Sequence, residues 1–117
     1  MKIYLIAYSQ NKYQKQEILD FVKYQNVIHS SHHDNDDLET ILKKVDKIWI
    51  ILPGVLNPGT FYCDVYKKEL KAKELKIPVE YFKINQTERY AELVCKVKRD
   101  ELVPANFEQT KKFFESD

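Results

Sequence analysis

Lys47-Ile48-Trp49-Ile50-Ile51-Leu52, continued by Pro53-Gly54-Val55-Leu56-Asn57-Pro58-Gly59-Thr60, is the stretch on which the fold turns. No polar residue interrupts Ile48 to Leu52, so this strand has no face suited to water. That is the pattern of a central parallel strand covered on both sides. The turn after it holds both glycines of the chain, Gly54 and Gly59, and two of its four prolines, Pro53 and Pro58. A chain so poor in glycine has concentrated its backbone freedom in one place.

Outward from this centre the pattern alternates. Lys2 to Tyr8 (KIYLIAY) is a short β-branched and aromatic run that reads as a buried strand. Residues 12 to 24 place Ile18, Phe21 and Val22 at helical spacing, with Leu19 widening the stripe. Asn26 to Ser30 is a brief second strand, and the polar stretch Ser30 to Asp37 a loop whose aspartates can cap the next helix. That helix, over 37 to 45, puts Leu38, Ile41, Leu42 and Val45 on one face. Residues 60 to 75 give the longest helix, with Phe61, Val65, Ala72 and Leu75 sharing a side at ~100° per residue and Tyr62 on its flank. Lys67, Lys71, Lys73, Glu74 and Lys76 are left for solvent, where Glu69 and Lys73 are spaced for an ion pair. Pro78 follows, and Ile77 to Ile84 (IPVEYFKI) is the fourth strand.

Such β-α-β alternation implies an α/β domain with a parallel sheet, helices on both faces and right-handed crossovers. The expected strand order is about 2-1-3-4, with a fifth strand left open. Thr87 to Val97 fits a strand, through alternating Ala91, Leu93, Cys95 and Val97, and equally a helix, through Tyr90, Val94 and Val97. Glu108 to Phe114 reads as a short terminal helix. The 117 residues make one domain, with 85–117 a C-terminal extension.

Composition narrows the function classes. Nineteen basic and eighteen acidic side chains give a formal charge of +1, without the sustained basic bias of a nucleic-acid groove. No apolar run approaches the ~20 residues that span a bilayer, and Met1-Lys2 leads directly into the first strand without a signal-peptide pattern. Two distant cysteines, Cys63 and Cys95, suit neither a disulfide framework nor a zinc ribbon, so a cytoplasmic, reducing setting is expected. No cofactor is called for.

In an open parallel sheet, ligands bind beyond the carboxyl ends of the strands where the strand order reverses. With order 2-1-3-4 the crevice lies between strands one and three, and the residues delivered to it are Tyr8, Ser9, Gln10 and Asn11 from one loop and Pro53 to Thr60 from the other. Asn57 as N-cap and Pro58 at the first helical position make a good helix start. Its free amides and the helix dipole attract phosphate or carboxylate. Gly59 allows close approach, and Thr60 adds a hydroxyl. A tight strand-to-helix connection accounts for the same residues, and a capping role accounts for Asn11. Asp46 stands at the amino end of strand three, away from this crevice.

The ordered pattern of KIYLIAY, VDKIWIILPG, an NPGT turn opening a helix, and KIPVEYF resembles the nucleoside 2-deoxyribosyltransferase-like proteins. It is also similar to the wider Rossmann-like superfamily that includes the cytokinin-activating phosphoribohydrolases, with their PGG-x-GT-x-x-E turn. The likeness spans residues 1 to about 84. It implies a three-layer Rossmann/flavodoxin-like domain that binds a nucleoside or nucleotide, cleavage or transfer of an N-glycosidic bond, and assembly into a homo-oligomer. Counting from Gly59-Thr60 places Cys63 where that motif has its catalytic glutamate. Asp64, one position on, is the stand-in carboxylate; Glu69 sits more than two turns into the helix. The resemblance makes Tyr8 the sugar- or carboxylate-positioning hydroxyl. A non-catalytic module that binds a nucleotide-derived metabolite, and a protein-interaction domain, are the alternatives.

His29, His32, His33, Asp34, Asp36 and Asp37 contain metal-ligand residue types. Their adjacent histidines lack the i, i+4 spacing that orients ligands on a helix, so no metal site is expected. His29 or His32 reaching the ligand crevice is the other reading.

Overall fold

The computed structural model describes residues 1–30, 38–53, 60–86 and 92–102. Among these residues, five strands and three helices follow one another as β1 (Lys2–Ala7), α1 (Lys12–Val22), β2 (Asn26–His29), α2 (Leu38–Leu42), β3 (Lys47–Leu52), α3 (Thr60–Glu74), β4 (Val79–Gln86) and β5 (Glu92–Val97), with a 3-10 turn at Arg99–Glu101 after β5. They form one sheet of order β2-β1-β3-β4-β5. The architecture is α/β and Rossmann/flavodoxin-like, as the alternation predicts.

β3 takes the central place. Ile48, Ile50, Ile51 and Leu52 are at most 2% exposed, because helices cover both sides of the sheet. β2 lies on one side of β1, while β3 and β4 lie on the other. Crossovers of one hand must then send α1 to one face and α2 and α3 to the opposite face. Two separate apolar clusters record that division. Tyr4, Ile6, Ile48, Ile50 and Leu52 pack with Leu42 of α2 and Val65 and Ala72 of α3. Ile3, Leu5, Trp49, Ile51 and Phe82 pack with Ile18 and Val22 of α1. Each fully buried aliphatic side chain contributes on the order of 1.5–3 kcal/mol. On the α1 face, Trp49, Phe21 and Phe82 form a cluster in which each ring touches the other two, with centroids 5.0 to 5.4 Å apart.

β1, β2, β3 and β4 pair in parallel, and β5 runs antiparallel to β4. Residues 92–97 are thus a strand, and the helical reading of this segment is set aside. The reason lies in chain length. Only residues 87–91 separate β4 from β5, whereas a parallel return needs a crossover of about a dozen residues or more. Leu102, just past the 3-10 turn, is fully buried in the α2–α3 cluster. The expected helix over 108–114 lies outside the described residues.

The local signals are simple. Asn11 caps α1, its Oδ1 accepting from the Gln14 amide at 2.9 Å. α3 ends in a Schellman arrangement: the Ile77 amide donates to Ala72 O at 2.8 Å and the Lys76 amide to Lys73 O at 3.2 Å. Lys76 takes the left-handed position there, at φ 60°. Asp46 accepts from the Lys2 amide at 2.8 Å and so helps seat β1 beside β3.

Candidate ligand crevice between the first and third strands

β1 and β3 end side by side, with Ala7 opposite Ile51. The Tyr8 amide donates to Ile51 O at 3.1 Å and carries the pairing one residue further. Beyond it the two connections diverge. The chain after β1 turns toward α1 on one face, and the chain after β3 leaves through Pro53 for α3 on the other. The strand order therefore reverses between β1 and β3, at the location where the sequence places the crevice.

Of the residues proposed for this crevice, Tyr8 is half-buried against the α2–α3 cluster, and Ser9 and Gln10 are exposed in the connection that follows β1. Pro53 is half-buried at the end of β3. The structure gives Gln10 and Asn11 definite local work. The Gln10 amide donates to Gln14 Oε1 at 2.6 Å, and the Asn11 side-chain oxygen is committed to the helix cap. Gln14, buried at 6% exposure, braces the loop from below. Thr60 opens α3 and Asp64 lies in its second turn, but their side chains lie outside the described residues. So do Gly54, Asn57 and Gly59, and so do His32, His33, Asp34, Asp36 and Asp37. His29 ends β2, half-buried. Among the described residues no group of three or more metal-ligating side chains comes together.

Sequence reasoning overlooked Lys68. It is only 6% exposed, and its Nζ lies 5.9 Å from the ring centroid of the fully buried Tyr4, within the reach of a cation–π contact. The signal was present: Lys68 stands three residues after Val65 and four before Ala72, on the buried stripe of α3. The stripe holds a cation on the same sheet face as Tyr8, one helical turn beyond Asp64.

Glu69 belongs elsewhere. Instead of an i, i+4 pair with Lys73, it takes Arg99 in a two-point contact, with Nε to Oε2 at 2.8 Å and Nη2 to Oε1 at 3.2 Å. It also accepts from the Tyr81 hydroxyl. Burial, then this bond to the Glu69 carboxylate, pushes the Tyr81 phenol well above its ordinary range, so it stays protonated. Glu69 in turn raises the Arg99 guanidinium. This cluster lies toward the amino ends of the strands, away from the crevice.

Comparison of the chain with protein-family models, with curated proteins and with solved structures returned no match.

Proposed function

We propose that this chain is a nucleoside- or nucleotide-ligand domain whose site is the crevice between β1 and β3. The reversal of strand order there carries the reading, because in an open parallel sheet such a reversal is where ligands bind, and it falls beside Tyr8 and Pro53. The start of α3 at Thr60 supports it, since the amides and positive pole of a helix that begins at the carboxyl end of β3 attract an anion. The residue types of the Pro53–Thr60 turn, and the likeness of their order to deoxyribosyltransferase-like proteins, select a sugar phosphate or nucleoside over other anions. Ser9 and Gln10 offer polar groups at the mouth, and Tyr8 the hydroxyl within. A cytoplasmic setting and assembly as a homodimer belong to the same reading.

N-glycosidic cleavage or transfer is the second reading, and the position of Asp64 in the second turn of α3 favours it. The Asp64 carboxylate would add to the anomeric carbon as the C–N bond breaks, its electron pair leaving with the base. Water or a second base would then take the sugar. Incubation with a panel of nucleosides and nucleotides tests both readings. A rise in melting temperature with one of them is expected, reduced in Tyr8→Ala; no rise with any member overturns the binding reading. Free base detected by chromatography and abolished by Asp64→Asn supports catalysis, and stabilisation without base release restricts the function to binding.

A further inference from the structure

Beside the second half of α3, where β4 begins, the surface holds a cleft of about 480 Å³. That is within the range of small-molecule sites. It opens at the amino ends of the strands, at the far end of the sheet from the β1–β3 crevice, so it stands independently of the function proposed above. Leu70, Ile77 and Val79 form its apolar wall, and Tyr66 and Tyr81 add ring surface. Its polar side is already organised. Glu69, on α3, is held from two directions by Arg99 and Tyr81, which come from the 3-10 turn and β4.

The charges select the ligand. Glu69 and Arg99 cancel each other across a 2.8 Å ion pair. Tyr81 stays neutral, since burial and Glu69 oppose its ionisation. Lys73 remains: it lines the cleft, it is exposed, and no carboxylate among the described residues pairs with it. Among the described residues, the cleft therefore joins an apolar wall to one uncompensated positive charge. We infer that it is a second binding site, for a small organic monoanion with an apolar body, such as an aryl carboxylate or sulfonate. The apolar body displaces water from Leu70 and Val79, and the anionic group reaches the Lys73 ammonium. The Glu69–Arg99–Tyr81 contacts keep the wall in place without reorganisation on binding.

The test uses 8-anilinonaphthalene-1-sulfonate and its uncharged counterpart, N-phenyl-1-naphthylamine, titrated into the full chain under native conditions. Expected is saturable one-to-one binding of the sulfonate, tighter than that of the neutral probe, with amide resonances of Leu70, Lys73 and Val79 shifting together. Lys73→Met should weaken the sulfonate about fivefold, the size of one partly exposed charge contact, and leave the neutral probe unchanged. Leu70→Glu should weaken both probes. Both positions are exposed, so neither variant threatens folding, and a thermal melt of each verifies this. Equal affinity for the two probes, or sulfonate binding untouched by both substitutions, overturns the proposal. So do resonance shifts confined to other parts of the sheet, or self-association of the chain that Leu70→Glu abolishes, which would assign the cleft to a second copy.

Discussion

Lys47 on β3, Glu80 on β4 and Lys96 on β5 occupy diagonal positions on the α1 face of the sheet, and the glutamate is the acceptor for both cations. Its oxygens lie 2.8 Å from Lys47 Nζ and 2.9 Å from Lys96 Nζ, and Trp49 Nε1 donates to it at 3.4 Å. The Lys47 hydrogen bond, then the Lys96 hydrogen bond, hold the Glu80 carboxyl at about 2, well below the ordinary 4.5. A lowered folded value means that the stabilisation is complete above pH 4.5 and is lost as the pH falls toward 2. Solvent reaches much of the cluster, so its worth is discounted to about 1–2 kcal/mol. Glu80→Gln should therefore lower the urea-unfolding free energy by that amount at pH 7 and progressively less in the acid range. A difference between variant and parent that stays constant from pH 7 to pH 2 would contradict the ion-pair account. On the opposite face, Glu69 was legible as a carboxylate too far from the helix mouth, but its partners were not. Arg99 is 30 residues away in sequence, and no local spacing announces a contact of that range.

At the scale of elements, α1 and α3 show how much termini matter. Asn11 serves both the cap of α1 and the loop that leads out of β1, so its substitution separates two roles. Asn11→Ala should cost about 1 kcal/mol of stability, read from chemical denaturation. If Asn11 acts only as a cap, nucleotide-induced stabilisation will persist in the variant; its loss would add a ligand contact. α3 ends with Lys76 at φ 60°, a conformation that suits glycine and strains a residue with a Cβ. Lys76→Gly should raise stability by about 0.5–1 kcal/mol, seen as a higher denaturation midpoint. The periodicities locate the helices to within a few residues because each covers one sheet face. They overstate α1 and α2, reading 12–24 and 37–45 where the helices span Lys12–Val22 and Leu38–Leu42. Apolar spacing continues into the following turns: Val45, past the end of α2, is still buried. They also left Phe21 and Leu19 within the stripe of α1, although these are 36% and 41% exposed. Among the described residues α1 is the one helix over this face, and the outer sides of Phe21 and Leu19 are open to water.

For the whole molecule, the decisive sequence feature was the uninterrupted apolar run of β3, which required two covered faces and hence three layers. Strand order followed from alternation and handedness. The direction of β5 did not, since 92–97 carries both periodicities and only the short connection to β4 forces a hairpin. The 3-10 turn after β5 is anchored through Leu102, which is fully buried among residues of β1, β3, α2 and α3. Leu102→Ala should destabilise the domain by roughly 2–5 kcal/mol, the range for emptying such a site, measured by equilibrium unfolding. A cost below about 1 kcal/mol would mean that this segment closes over the cavity on its own. The point where strand order reverses was legible as topology, because it depends on strand order alone, whereas the buried Lys68 was masked by the lysine-rich surface around it. The position of Trp49, the chain's one tryptophan, gives the fold a built-in optical gauge. In ring contact with Phe21 of α1 and Phe82 of β4, this indole takes its emission colour from whether α1 is seated on the sheet, and it reports on that face of the domain alone.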